Sequence, residues 1–419
     1  MTTGPSERRI IFLIAAVQFV NVMDFMIVLP LGPDFAQALG IPTSRLGLVG
    51  ASYTGAASIA GILGAMILDR FDRRKALAVV LGGLVMATAA AGLTTDLWTM
   101  LTARLLAGAC GGPAASIALA IIADVVAPEH RGRAMGLVMG SFSVASVFGV
   151  PAGLELAHLG GWRLPFFAVA VLGALVATGV VALLPPLRQH LGAGKRERKE
   201  GMLAFLWQRP VALTLLAASI LFVGHFALIP NLPAYWQFNL GYPRVHFGAL
   251  YAVGGILSFV TMRLSGNLTD RFGSTGVTAG GTLLYAIGLL VTFIYPNDHP
   301  SAFVSLALFS GFMVTSSFRM IPVQALATRV PAPDQRARFM SAFSAVQHMS
   351  AAVGAVMAAR LLRELPGGRL DGMDRVSWFT LGSALLVPVL LGLVELEVGR
   401  RRGGQAAGRV EVQEPFGSA

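Results

Sequence analysis

Apolar runs of twenty residues or more, parted by short polar segments, recur along nearly the whole 419-residue chain. A helix crosses a bilayer with about 20 mostly apolar residues. Twelve such runs can be drawn, at 10–31, 45–67, 76–95, 98–123, 134–157, 164–184, 211–232, 247–268, 275–295, 302–326, 338–360 and 376–397. Hydrocarbon offers backbone groups no partner, so helix is the predicted element throughout. Gly and Pro inside several runs do not oppose this, because neighbouring membrane helices re-satisfy the freed groups. The pattern predicts an all-α membrane protein of twelve transmembrane helices, with no room for a soluble domain.

The polar segments give the organisation. The longest interior one, 185–210, divides the spans six and six. It predicts an N-terminal half at 1–184, a linker at 185–210, a C-terminal half at 211–399 and a tail at 400–419. The stretch Gly201 to Gln208 is expected to lie on the membrane surface as a short amphipathic helix. An internal repeat supports the division. Asp69-Arg70-Phe71 returns as Asp270-Arg271-Phe272-Gly273, 201 residues later. Pro128-Glu129-His130-Arg131-Gly132-Arg133 returns as Pro333-Asp334-Gln335-Arg336-Ala337-Arg338, 205 residues later. Duplicated halves of this kind are usual in secondary transporters, which bind their cargo near the midplane between the repeats.

Composition agrees. The chain is 55% hydrophobic and 13% charged, against about 25% charged in soluble domains. A net charge of +11 raises the question of nucleic acid. The basic residues instead occupy short loops, where lipid headgroups and the positive-inside rule account for them. Arg8 and Arg9, Arg70 to Lys75, Arg131 and Arg133, Arg188 to Arg209, Arg271, Arg329 to Arg338 and Arg400 to Arg402 fall on one side. That side is expected to be cytoplasmic and to carry both termini, in a bacterial-type inner membrane. The segment 361–375 is an exception, with Arg363, Arg369 and Arg375 on the other side beside Glu364, Asp371 and Asp374. The first span has no cleavage site after it and is expected to be retained. Cys110 is the single cysteine, so disulfides are not expected. No HExxH, GxSxG or GK[ST] sequence occurs, so neither an enzyme nor an ATP-driven pump is expected, and no cofactor or metal.

Several motifs resemble those of the major facilitator superfamily. Ala65-Met66-Ile67-Leu68-Asp69-Arg70-Phe71-Asp72-Arg73-Arg74-Lys75 looks like its G-x-x-x-D-R-x-G-R-[KR] loop, with Ala65 and Asp72 in place of glycines. The second copy, at Gly266 to Gly273, keeps both glycines and lacks the basic run. The resemblance implies a conformational latch at Asp69, Arg70, Arg73, Arg74, Asp270 and Arg271; the alternative is that the basic residues only set topology. Arg104 to Gly112 resembles the family's R-x-x-x-G-x-x-x-G element, whose arginine is linked to proton coupling. Gly149-Val150-Pro151-Ala152-Gly153 is similar to the helix-bending element of its antiporters and arabinose-type efflux permeases. The family implies two pseudo-symmetric six-helix bundles, alternating access, and a monomer whose partners are a small molecule, protons and the bilayer.

Ionisable residues inside spans are costly and mark function. Asp24 lies 14 residues after Ile10, about 21 Å from that end at about 1.5 Å per residue. Arg104 lies six residues into a span entering from the other face, about 9 Å deep. In a core about 30 Å thick the two depths coincide, so they can pair if the first and fourth helices are neighbours. Adding the repeat offset of 201 to Asp24 gives His225, and Phe25 maps on Phe226. Asp24, Arg104 and His225 are therefore the proton-coupling candidates; a static ion pair and a neutral histidine contact are the structural alternatives. Gln18, Asn21, Tyr53, Arg319, Gln324 and His348 are substrate-cavity candidates, with Arg319 read either as a gate or as snorkelling. Tyr235, Trp236 and Trp378 are expected at the lipid interface, and Arg263 in a structural role. The function expected is proton-coupled export of small molecules. An importer or facilitator of a sugar or metabolite is the alternative of the same fold, and a receptor or membrane enzyme the alternative of another class.

Overall fold

The computed structural model describes residues 5–67, 71–187, 202–296, 300–331 and 335–411. Asp69, Arg70 and most of the expected linker lie outside them. The first half contains α1 (Pro5–Val28), a short α2 (Gly32–Leu39), α3 (Leu46–Ile67), α4 (Arg73–Ala91) and α5 (Leu97–Val125). It continues with α6 (Pro128–Val144) and α7 (Val150–Gly160), joined by the turn Ala145–Gly149, and with α8 (Arg163–Leu183). The second half holds α9 (Met202–Leu206), α10 (Arg209–Leu228), a brief α11 (Leu232–Ala234), α12 (Phe247–Leu289), α13 (Ala302–Arg329), α14 (Arg336–Leu361) and α15 (Met373–Glu411). A two-residue hairpin, β1 (Arg363–Glu364) with β2 (Leu370–Asp371), precedes α15.

Among the described residues, eleven continuous helical stretches are long and apolar enough to cross a membrane, one fewer than the sequence predicts. The difference lies in α12. Its 43 residues would extend about 65 Å at about 1.5 Å per residue, twice a bilayer core. The backbone turns at Gly273, where φ is 80° and ψ is 162°. Only glycine enters that region without strain, and the Glu395 carboxylate accepts from the Ser274 amide just beyond it, at 2.6 Å. Two spans therefore meet at Gly273, and the fold is twelve transmembrane helices in two six-helix bundles.

The helices are apolar on both sides, as lipid requires. Val79, Met86, Leu175, Leu283 and Leu385 point outward, whereas Leu77, Leu81 and Leu84 of α4 close on Ile14 and Val17 of α1 inside the first bundle. The second bundle closes on Val323, Leu326, Phe339, Phe343 and Leu391. A further cluster bridges the halves. It joins Ile27, Leu31, Phe35 and Phe166 to Leu228, Leu232, Trp236 and Phe309.

Three local features stand out, the first against expectation. Tyr235 and Trp236 are not interfacial anchors: both are buried, their ring edges meet Phe293, and their polar tips bond Thr292 O and Ser305 O, each at 3.0 Å. A carbonyl freed inside the bundle serves these tips as well as a headgroup would. Secondly, α9 is a short helix with two faces, as an amphipathic helix is. Its Phe205 is buried in the second bundle beneath the Arg338 guanidinium, which sits 4.6 Å from the ring centre, while Trp207 is exposed. Thirdly, Asp72, where the resembled loop has glycine, is the N-cap of α4. Its carboxylate accepts from Arg74 N at 3.0 Å and from Leu187 N at 3.2 Å. An N-cap carboxylate satisfies an orphan helix donor.

Candidate functional site

Asp24 and Arg104 meet in the middle of the first bundle. Arg104 Nη1 donates to Asp24 Oδ1 at 2.9 Å and Nη2 to Oδ2 at 3.0 Å, a two-pronged pair. Nη2 also donates to the Asp24 carbonyl at 3.1 Å. Thr88 of α4 donates to Oδ1 at 2.6 Å. Side-chain exposure is 0% for Asp24 and 1% for Arg104. Sequence reasoning missed Thr88, although a hydroxyl in the apolar run of α4 was the available signal. Arg104 also stands 4.8 Å above the ring of Tyr53, a cation–π contact that ties α3 to the pair.

Asn21 and Tyr53 extend the network. Tyr53 Oη donates to Asn21 Oδ1 at 3.0 Å, and Asn21 Nδ2 to the Gly111 carbonyl at 3.1 Å. The α5 glycines make this contact possible. A Cβ on Gly108 or Gly112 would run into the α3 backbone at Tyr53 or Ala57. On the other side of α1, a Cβ on Gly149 would strike Met23 and one on Gly153 would strike Ile27. Pro151 follows the turn Ala145–Gly149, which is wound as a π-helix. Pro151 donates no hydrogen bond to the preceding turn, and π-turns occur where a helix accommodates such a defect. So Gly149, Pro151 and Gly153 let α6 and α7 wrap closely against the helix that carries Asp24.

These bonds have measurable weight. Thr88→Val keeps the shape and removes one hydrogen bond to a buried carboxylate, worth about 1.5–3 kcal/mol. Its thermal midpoint in detergent is expected to fall while the fold, read by circular dichroism, is kept.

The second bundle holds a different arrangement at related places. His225 of α10 is 4% exposed and stacks on Phe312 at 5.8 Å between ring centres. Its neighbour Phe226 faces Phe25 at 6.2 Å, and Phe25 lies 5.3 Å from Tyr53. His225 thus reaches the Asp24 site only through rings. Arg319 of α13 is 1% exposed, which removes snorkelling. Its guanidinium lies 4.2 Å over Tyr285 of α12, and Tyr285 lies 5.5 Å from Phe312. None of the three Arg319 nitrogens has a hydrogen-bond partner among the described residues. A cation–π contact gives about 2 kcal/mol when desolvated, short of the several kcal/mol that burying a charge costs.

The other expected site residues scatter. Gln18 is half-buried with Oε1 lacking a partner among the described residues, His348 is half-buried on α14, and Gln324 is exposed on α13. Arg73 pairs with Asp124 at 2.6 Å, and Arg74 bonds the Val181 carbonyl. Asp270 pairs with Arg329 at 2.6 Å, whereas Arg271 is exposed beside Phe272. Each of these contacts stays within one half. Arg263 is exposed over Phe259.

Contacts between halves gather toward the face opposite the termini. Arg244 pairs with Asp34 there. Glu364 accepts from the Thr43 amide and, at 3.1 Å, from the Thr43 hydroxyl, which also donates to Gly368 O at 3.1 Å. Gly47 lies against the Ala355 backbone and Gly255 against Ser146. Nearer mid-depth, Ser58 of α3 donates to Ala345 O of α14 at 2.8 Å.

A family model described as Major Facilitator Superfamily matches residues 14–355. The chain is 25% identical over 383 residues to a chloramphenicol resistance protein of Streptomyces lividans, covering 90% of this chain and 93% of that one. It is 24% identical over 364 residues to a probable sugar efflux transporter of Pasteurella multocida, covering 85% of each. The crystal structure of a D-xylose-proton symporter superposes with a TM-score of 0.75 at 15% identity, covering 92% of this chain and 97% of that one.

Proposed function

Because this chain belongs to the major facilitator superfamily and is a multi-pass membrane transporter rather than an enzyme, we propose that it exports small molecules in exchange for protons, by alternating access. The observation that carries this reading is the Asp24–Arg104 pair, shut away from water beside the point where Phe25 touches Phe226. In this reading Asp24 takes up a proton when water reaches it and gives it back when the pair re-forms. Protonation turns the two-pronged ion pair into a weaker contact and frees Arg104. It thereby loosens α1 from α5 and acts on the α3 surface through Tyr53. Asn21 and Tyr53 line the approach to the pair and are the cargo-facing residues of the first half.

The arginine-rich loops argue for cytoplasmic termini and an inner-membrane location. The face closed by Asp34–Arg244 and Thr43–Glu364 is then the outer one. Asp270–Arg329 and Arg73–Asp124 act as tethers within their halves, and Asp69 as the latch between them on the cytoplasmic side. Export is favoured over import by the Gly149-Val150-Pro151-Ala152-Gly153 element and by relatives concerned with resistance and efflux. One polypeptide is the working unit.

The outer closure gives a second expectation. Asp34→Asn with Arg244→Gln removes an ion pair between halves and favours opening of that face. A cysteine placed at the buried Gly32 position should then react faster with a membrane-impermeant maleimide than in the parent. An unchanged rate would count against the closure.

The function is tested in proteoliposomes with an imposed pH gradient and a panel of chloramphenicol and neutral sugars. Gradient-dependent movement of at least one compound, lost in Asp24→Asn, is expected. Movement at the same rate with and without the gradient would refute proton coupling, and accumulation running with the proton flow would refute export.

A further inference from the structure

We propose that Arg319 marks a ligand site of its own, which receives the carboxylate of a small molecule with an apolar body. This rests on reading the chain as a transporter, since the carboxylate then belongs to cargo. Each half stacks a buried arginine over a tyrosine, at positions the repeat does not relate: Arg319 lies 215 residues after Arg104 and Tyr285 lies 232 after Tyr53. In the first, Arg104 lies over Tyr53 and Asp24 completes it. In the second, Arg319 lies over Tyr285, and no acid among the described residues completes it. The repeat position of Asp24 is occupied by His225, which has no negative charge to offer.

No other residue of the second bundle can fill the role. The six spans of the second half hold only two acids, Glu395 and Glu397, both at the C-terminal end of the last one, and both are engaged: Glu395 accepts from Ser274 N at 2.6 Å and Glu397 pairs with Arg209 at 3.1 Å. The guanidinium is buried at 1% exposure with Nε, Nη1 and Nη2 all lacking partners among the described residues. Other donors nearby are idle as well. Tyr285 Oη, Thr282 Oγ1 and Thr278 Oγ1 share one buried face of α12 at helical spacing, and none has a partner among the described residues. His225 Nδ1 of α10 is in the same condition. A buried arginine with no anion is an unstable arrangement unless an anion arrives from outside. A carboxylate matches the planar guanidinium fork with two parallel bonds. The surroundings, Tyr285, Phe312 and His225 in ring contact, suit an apolar or aromatic body behind it. Arg319 is covered in this closed arrangement, so the ligand enters when the halves rock.

Purified protein in detergent is heated with sodium benzoate, with sodium chloride at equal ionic strength, and with neutral benzamide. Benzoate is expected to raise the midpoint by several degrees over chloride, and benzamide is not. In Arg319→Gln the response should vanish, while the ligand-free midpoint stays at or above that of the parent, because an uncompensated charge has gone. Arg319→Lys, which keeps charge and loses the fork, should respond weakly. Tyr285→Phe, which keeps the ring and loses one idle donor, should respond less than the parent. Absence of a benzoate effect in the parent, or an undiminished effect in Arg319→Gln, overturns the proposal. Should Arg319→Gln not fold, an undiminished effect in both Arg319→Lys and Tyr285→Phe overturns it equally. Equilibrium binding needs no transport. Benzoate binding without any flux in proteoliposomes would refute the transport reading alone, and flux without benzoate binding would refute the site alone.

Discussion

Asp24→Asn is expected to lower the thermal midpoint of the purified protein sharply and to separate transport from protons. The substitution keeps the shape of the side chain and removes its charge. Arg104 then sits at 1% exposure with no anion, and breaking a buried pair from one side costs about 3–5 kcal/mol. Thr88 and the Asp24 carbonyl still accept or donate to what remains, so the fold should survive. The sign can be checked by a second change. Arg104→Gln alone should destabilise by a similar amount, yet Asp24→Asn with Arg104→Gln should regain much of the loss, because no lone charge is left. Thermal unfolding followed by tryptophan fluorescence reads all three. Additive losses would mean that the two side chains act independently.

The second large effect is expected at Gly108. Its Cα faces the Tyr53 backbone so closely that any side chain meets a carbonyl, not a flexible tip. Ordinary overpacking costs about 1–3 kcal/mol because side chains can yield. Here α3 and α5 would have to part along their length, which also pulls Tyr53 from Arg104 and Asn21. Gly108→Leu should therefore give little or no folded protein on size-exclusion chromatography. Gly136→Ala is the control, because nothing lies within 4 Å of a Cβ at that glycine; it should fold like the parent. Equal yields would show that the close approach is not needed.

Much of this site could be read from sequence because depth in a membrane is countable. A helix rises evenly, so the positions of Asp24 and Arg104 along their spans already placed them at one level, and the pair follows once α1 and α5 are neighbours. Rotation about a helix axis is harder to read. Which way Arg319 points depends on how α12 and α13 pack, and Tyr285 gives no sign in the sequence that it lies under a guanidinium. Tyr235 and Trp236 misled because a ring with a polar tip near a span end suits an interface and a bundle core equally. The doubled span at α12 reversed the usual difficulty. Hydropathy separated two spans that the backbone runs together, since one positive-φ glycine turns the chain without a loop. Asp72 departs from the resembled loop, and its place as the N-cap of α4, with Leu187 N bonded to it as well, explains why a carboxylate serves there.

We propose that a proton on Asp24 moves the two halves. It can be tested without knowing the cargo. Spin labels on cysteines at Gln37 and Val245, exposed on opposite halves of the closed face, report the opening of that face by pulsed electron resonance, in a Cys110→Ala background. The parent is expected to shift its inter-label distances as pH falls, and Asp24→Asn to show one distribution at every pH. An identical pH response in the parent and in Asp24→Asn would contradict the claim.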